Sequence, residues 1–221
     1  MEPRLTELNE NEILMYLGHR GQECPEEIMT QIHQCSERIV KAARPRFVWR
    51  RVPYTEGSVD GLALPGEDIR KLLKDCEEVV LVAATLGAEV DQLTRKFEVK
   101  DPGDALVMDA CASSAIENVI NHFEEDLGDE VTVEGKYLTD RFSPGYGDLP
   151  LDIQKDLCRL LNAQRRIGLT VTDSMLMVPC KSVTAIIGIA DREQSHRQDG
   201  CELCSLFRTC EIRKEGRTCH E

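Results

Sequence analysis

Val79-Val-Leu-Val-Ala-Ala84, running into Thr85-Leu-Gly87, is the stretch that decides the fold. Six apolar residues in a row, with no polar alternation, predict a strand covered on both faces. Gly87 ends the run, and Ala88–Phe97 then carries a helical pattern. Such a strand–glycine–helix unit is able to aim backbone N–H groups at an anion. A single glycine equally marks an ordinary strand-to-helix turn, and composition alone favours the ordinary turn.

Working outward, Ser182-Val-Thr-Ala-Ile-Ile-Gly-Ile189 and Gly168-Leu-Thr-Val-Thr172 read as strands flanking a Met-rich link, and Phe47–Tyr54 as another strand. Residues 8–20 carry helical spacing at Leu8, Ile13, Leu14 and Leu17. Pro25 opens a second helix with Glu26 and Glu27 in its first turn, and Pro45 stops it. A short helix is expected over Glu67–Cys76 after a 57–66 loop. Asp101-Pro-Gly103 breaks the chain before a long helix, Asp104–Leu127. The small residues of that helix (Ala105, Ala110, Ala112, Ser113, Ser114, Ala115) permit close packing. Val131-Thr-Val133 reads as a short strand, residues 141–150 as a Gly/Pro-rich loop, and Leu151–Ala163 as a helix. Helices and strands mix without a strict βαβ alternation, which gives an α+β (mixed α/β) class. The expected organisation is an N-terminal part over 1–78, a core over 79–190 and a cysteine-rich tail over 191–221.

Composition narrows the function classes. The chain has 221 residues, 27 Lys+Arg against 40 Asp+Glu, and a formal net charge of −13. With 41% hydrophobic residues it has enough apolar surface for a buried core. The acidic balance argues against a nucleic-acid partner. No apolar run approaches the roughly 18 residues of a membrane span, so no membrane partner is expected. Met1-Glu-Pro-Arg-Leu-Thr-Glu7 is too polar and acidic for a secretory signal. A cytoplasmic setting with reduced thiols is the expectation.

Two segments concentrate chemistry. In Arg141-Phe-Ser-Pro-Gly-Tyr-Gly-Asp148-Leu-Pro150, two glycines and two prolines fix a turn beside an Arg and a Tyr. An Arg grips a carboxylate or phosphate with two prongs, and a Tyr offers a flat face and a hydroxyl. A rigid structural loop, with Asp148 serving the donors of the next helix, accounts for the same residues. In Thr172-Asp-Ser-Met-x-Met-x-Pro179-x-x-Ser182-Val-Thr184, Met175 and Met177 suit either a flexible ligand lining or core packing. Cys180 and Lys181 make a nucleophile site only with a base nearby, and no paired His–Asp pattern supplies one.

Taken together, Arg141-x-x-x-Gly145-Tyr146 and the later Thr172–Thr184 segment resemble the activation domain of cobalamin-dependent methionine synthase. The resemblance spans about residues 80–190, is strongest over 138–189, and takes in the helix around Ala110–Glu117. It implies binding of S-adenosylmethionine in a groove. It further implies presentation of the methyl donor to an oxidised cobalamin that a flavoprotein reduces by one electron. It assigns Arg141 to the ligand carboxylate, Tyr146 to the ligand's border, Glu117 to its positive charge or to accepting from an amine, and backbone groups around Phe142, Ser143 and Gly145 to the adenine edge. No general base is required, because a sulfonium is already a good leaving group; the protein's task is positioning.

The chain also departs from the family. Gly145-Tyr-Gly-Asp-Leu-Pro150 stands where the family has Gly-Tyr-Pro-Ala-Cys-Pro. Ile189-Ala-Asp-Arg-Glu-Gln194 stands where it has an aromatic segment with a ligand tyrosine, so that contact is lost or replaced. None of the five histidines (His19, His33, His122, His196, His220) lies in an Asp-x-His-x-x-Gly cobalamin motif. The corrinoid is therefore expected on a partner: a methionine synthase lacking this domain, or a related corrinoid protein. Two rivals stand beside this helper role. One is a small corrinoid-related methyltransferase or reductase; the other is a non-catalytic S-adenosylmethionine sensor or assembly module.

Four of the ten cysteines fall in the last 21 residues, as Cys201-x2-Cys204-x5-Cys210-x8-Cys219. Four thiolates suit a closed tetrahedral zinc or an iron–sulfur cluster. The cluster is preferred because reactivation consumes an electron. The spacing is not the Cys-x3-Cys-x2-Cys of radical S-adenosylmethionine chemistry.

Overall fold

In the computed structural model, which describes residues 1–19 and 24–193, the Val79–Ala84 run lies at the centre of a six-stranded antiparallel sheet. The chain runs α1 (Glu10–Tyr16), α2 (Glu26–Ala42), β1 (Arg46–Thr55), β2 (Ser58–Val59), β3 (Leu62–Ala63), α3 (Glu67–Leu72) and β4 (Cys76–Thr85). It continues through α4 (Ala88–Lys100), α5 (Pro102–Val133), β5 (Tyr137–Phe142), α6 (Ile153–Leu160), α7 (Ala163–Ile167), β6 (Thr170–Val171), β7 (Met177–Val178) and β8 (Ser182–Ala190). Strand order is β3-β2-β1-β4-β8-β5, with β6 and β7 as a separate hairpin.

The apolar run is explained by two cores. Val80, Val82 and Ala84 face a core shared with α1, α2, α4 and α5. Val79, Leu81 and Ala83 face a second core shared with α3, α6 and α7. Helices thus cover both faces of the sheet, and β4 has no wet side from Val79 to Ala84. The mixed α+β class read from the sequence is the class observed.

The Asp101-Pro-Gly103 break is a helix cap. The Asp101 carboxylate accepts from the N–H groups of Gly103 (3.0 Å) and Asp104 (3.2 Å), and Pro102 occupies the first turn of α5. Val131-Thr-Val133, expected as a strand, is instead the last turn of α5. Val131 is buried in the first core, and that packing outweighs the β-branched preference. Gly135, at φ +74°, follows the end of the helix. The 57–66 loop contains the small β2–β3 hairpin. The helix expected over Leu151–Ala163 divides into α6 and α7 at Asn162, which is left-handed at φ +53°. Strand β5 was not foreseen. It pairs with β8 in the register Arg141↔Ile187 and Phe142↔Ile186, after an irregularity between Leu138 and Arg141.

At the end of the sheet farther from the 143–149 loop, Arg51 of β1 ties three elements together. It donates to Glu78 of β4 (3.0 and 2.6 Å) and to Glu134 at the end of α5 (2.7 and 2.8 Å). Lys136 adds a bond to Glu78 at 2.9 Å. These two cations hold the Glu78 carboxyl down to about 2. An unfolded Glu titrates near about 4.3, so the bridge stabilises above that value and fades as pH falls toward the folded value. Glu78→Gln should unfold at a lower temperature than wild type at neutral pH, and the gap should close on acidification.

Gly188 of β8 is set by space. A Cβ there would lie 2.6 Å from Cys76 Sγ, 2.7 Å from Leu73 Cδ2 and 2.8 Å from Thr139 Cγ2. Its N–H donates to Thr139 Oγ1 at 2.8 Å, inside the irregular β5–β8 register. Gly188→Ala should cost about 1–3 kcal/mol of stability, read from urea unfolding.

Candidate functional site

Helix α5 is buried over most of its length, yet one face keeps Ser113, Glu117, Asn121 and Glu124. The spacings of four, four and three residues put them on one polar stripe. Strand β5 sets Arg141 against this stripe, while Phe142, pointing the other way, enters the second core. Arg141 Nη1 donates to Asn121 Oδ1 and to Glu124 Oε2, both at 2.7 Å, and Nη2 donates to Glu117 Oε2 at 2.5 Å. The Arg141 side chain is only 18% exposed, so this is a half-sealed charge cluster rather than a surface pair.

Helix α1 adds a third carboxylate. Glu12 Oε2 accepts from Ser114 Oγ at 2.6 Å. Burial pushes the Glu117 carboxyl above its ordinary value; Arg141 opposes the shift and Glu12 adds to it. Burial likewise raises Glu124, opposed by Arg141 and reinforced by Glu117 and Asp140. Glu124 Oε1 is buried and has no hydrogen-bond partner among the described residues. Two carboxylates thus share one guanidinium, with the Glu12 charge acting on Glu117 as well, and a cationic ligand would relieve the imbalance. Beyond Ser113 the stripe ends at Lys181, whose Nζ bonds Asp109 Oδ1 (2.8 Å) and Ser113 Oγ (2.9 Å).

The 143–149 loop follows β5 directly. Gly145 N–H donates to the Leu149 carbonyl (2.9 Å), and Tyr146 N–H donates to the Ser143 carbonyl (3.1 Å). Gly145 and Gly147 have φ of +92° and +52°, and a Cβ on Gly147 would sit 2.5 Å from Asp68 Oδ2. This tight turn leaves Tyr146 69% exposed at its tip. Asp148, expected to serve the following helix, instead accepts from Glu67 N–H (2.7 Å) and Asp68 N–H (3.2 Å) at the start of α3. It fastens the loop across the fold, and those two donors depress its carboxyl.

The structure bonds Arg141 to Glu117, Asn121 and Glu124; Glu12 reaches the same helix through Ser114 and Lys181 through Ser113, while the Ser143–Tyr146 turn follows β5 directly in the chain. Glu124 lies seven residues beyond Glu117, a helical repeat visible in the sequence; Glu12 carries no such signal. Other candidates separate from the site. Met177 packs against the second core. Cys180 donates its N–H to Asp91 Oδ2 (2.8 Å). Burial and the Asp91 charge push its thiol up, the reverse of an activated nucleophile. Glu89 Oε2 would lie 2.9 Å from a Cβ on Gly87, so a carboxylate already occupies the start of α4 and the Thr85–Gly87 segment is an ordinary turn. Cys201, Cys204, Cys210 and Cys219 lie outside the described residues. Among the described residues no cluster of three or more metal-ligating side chains occurs, and no helix is long and apolar enough to cross a membrane.

The family model described as vitamin B12 dependent methionine synthase, activation domain, matches residues 73–197, more than half of the chain. Among solved structures, the chain is similar to a crystal structure of the MetH reactivation domain bound to AdoHcy. The TM-score is 0.65 at 16% sequence identity, over 97% of this chain and 83% of that one. At that identity the likeness speaks to the fold. Comparison with curated proteins found no match.

Removing the guanidinium should leave Glu117 and Glu124 buried without compensation. Arg141→Ala should destabilise the free protein by about 1–3 kcal/mol, less than a fully buried pair because the carboxylates are about a quarter exposed. Adding Glu117→Gln to it should recover part of that loss in denaturant titrations.

Proposed function

Because the chain belongs to the vitamin B12-dependent methionine synthase activation-domain family, we propose that it binds S-adenosylmethionine at the Arg141–Glu117 site. It presents the methyl donor to a corrinoid carried by a separate protein, a methionine synthase lacking this domain or a relative. The observation that supports this reading is the bond between Arg141 and Glu117, beside the turn that carries Tyr146. Arg141 and Glu117 are 24 residues apart in sequence and bonded in space.

The donor set suits the ligand. S-adenosylmethionine carries one carboxylate, an ammonium and a sulfonium. Arg141 turns one prong from the α5 carboxylates to the ligand's carboxylate. Glu117, released from that prong, takes the cationic end. Backbone groups around Phe142, Ser143 and Gly145 meet the adenine edge, and the exposed ring of Tyr146 borders it. The bound ligand supplies a methyl group already activated on sulfur. What the chain contributes is orientation in a half-sealed site. The electron comes from a flavoprotein-type donor.

The test mixes the full chain with a domain-lacking methionine synthase held as cob(II)alamin, S-adenosylmethionine and a reductant. Appearance of the methylcobalamin absorbance only when this chain is present supports the proposal; no appearance, with a functional reductant, overturns it. Affinity should also depend on pH. A cationic ligand binds the ionised form of Glu117, whose carboxyl burial holds above the ordinary range. Binding therefore releases a proton and tightens as pH rises through that raised range, then levels off. Glu117→Gln should flatten the profile, and an affinity that strengthens as pH falls would contradict the assignment.

A further inference from the structure

Helix α1 lies outside the family-matched residues 73–197, yet it brings two side chains to the site. The bond from Ser114 Oγ to Glu12 Oε2 pins α1 to α5 one turn before Glu117. Tyr16 stands one turn further along α1 and donates its hydroxyl to Glu12 Oε1 at 3.5 Å. Ile13 lies in the first core and Leu14 and Leu17 pack against it, whereas Tyr16 remains 42% exposed. Burial raises the Tyr16 phenol first, and then the charges of Glu117 and Glu12 and the Tyr146 phenol raise it further. Tyr16 is therefore a neutral phenol bonded to Glu12 and within electrostatic reach of Glu117 and Tyr146. Tyr146 offers a second exposed ring, from the 143–149 loop.

An aromatic face beside carboxylates favours a cation over a neutral group of the same shape, because the ring's quadrupole adds to the carboxylate's attraction. Loss of the methyl group turns the ligand's sulfonium into a neutral thioether, so the two forms differ by one positive charge at that sulfur.

We infer that Tyr16 is a specificity-determining residue, its ring flanking the ligand's sulfonium beside Glu117 so that the site holds the methyl donor in preference to its demethylated product. The inference rests on the proposed S-adenosylmethionine site. It makes the N-terminal helix part of that site, and it gives the product a physical reason to leave once the methyl group is gone.

The test compares equilibrium binding of S-adenosylmethionine and S-adenosylhomocysteine by the full chain as wild type, Tyr16→Phe and Tyr16→Leu. Wild type should prefer the sulfonium ligand. Tyr16→Leu should lose about fivefold or more in affinity for S-adenosylmethionine and about twofold or less for S-adenosylhomocysteine, whereas Tyr16→Phe, which keeps the ring, should stay close to wild type. Thermal unfolding of each variant checks the fold, and Tyr16→Gln replaces Tyr16→Leu if the latter is destabilised. Equal losses for both ligands, or no loss for either, overturn the inference while leaving the site assignment to stand on the wild-type binding. A wild type that binds neither ligand removes the proposed function and this inference with it.

Discussion

The pairing of β4 with β8 is the constraint on which the other elements depend. Both strands are buried on both faces over most of their length, so helices must close the sheet on each side. That forces α5 across one face and α3, α6 and α7 across the other. It also leaves β5 to pair as the edge strand beside β8. With Arg141 opposite Ile187 and Phe142 opposite Ile186, the guanidinium meets α5 and the phenyl ring enters the second core. A slip of one residue would exchange them, placing an unpaired cation in an apolar core and a phenyl ring against Glu117 and Glu124. The irregular register at Leu138–Arg141, anchored by Thr139 on Gly188 N–H, holds the strand in the phase that sets Arg141 against α5.

The charge cluster built on that register is poised rather than satisfied. Arg141 makes three short bonds to α5, but it answers two carboxylates, a third charge (Glu12) acts on Glu117, and one buried carboxylate oxygen has no partner among the described residues. A buried network in this state is costly when left incomplete. On the proposed reading, a zwitterionic ligand with surplus positive charge both replaces one of Arg141's partners and supplies the missing cation. Ligand recognition and the electrostatics of the free protein are then one problem.

Much of the fold was legible because burial writes directly into composition. The uninterrupted Val79–Ala84 run announced a strand covered on both faces, and Pro25 and Asp101-Pro-Gly103 marked helix starts from local backbone chemistry alone. What escaped was decided by tertiary contact. Val131–Val133 has strand-forming residues but ends a helix because Val131 fills the first core. Tyr137–Phe142 has Asp140 and Arg141 where a strand signal wants apolar residues, and it is a strand because β8 offers an edge. Around Arg141, the paired motifs single out Arg141 and Tyr146 and the likeness to the family's long helix singles out Glu117; the Arg141–Glu117 bond is what the structure adds. Glu124 and Asn121 required knowing which face of α5 meets β5. Glu12 and Tyr16 required knowing that α1 folds back onto α5. Asp148 lay within the expected loop, but its role of fastening that loop to α3 depends on an approach across 81 residues of chain.

The most direct measurement of the central claim is a crystal structure of the full chain with S-adenosylmethionine bound. The account predicts ligand density between the 143–149 loop and α5. The ligand's carboxylate should lie on Arg141 and its cationic end against Glu117. Density that leaves the Arg141–Glu117 pair intact, with the ligand seated elsewhere on the molecule, would contradict it.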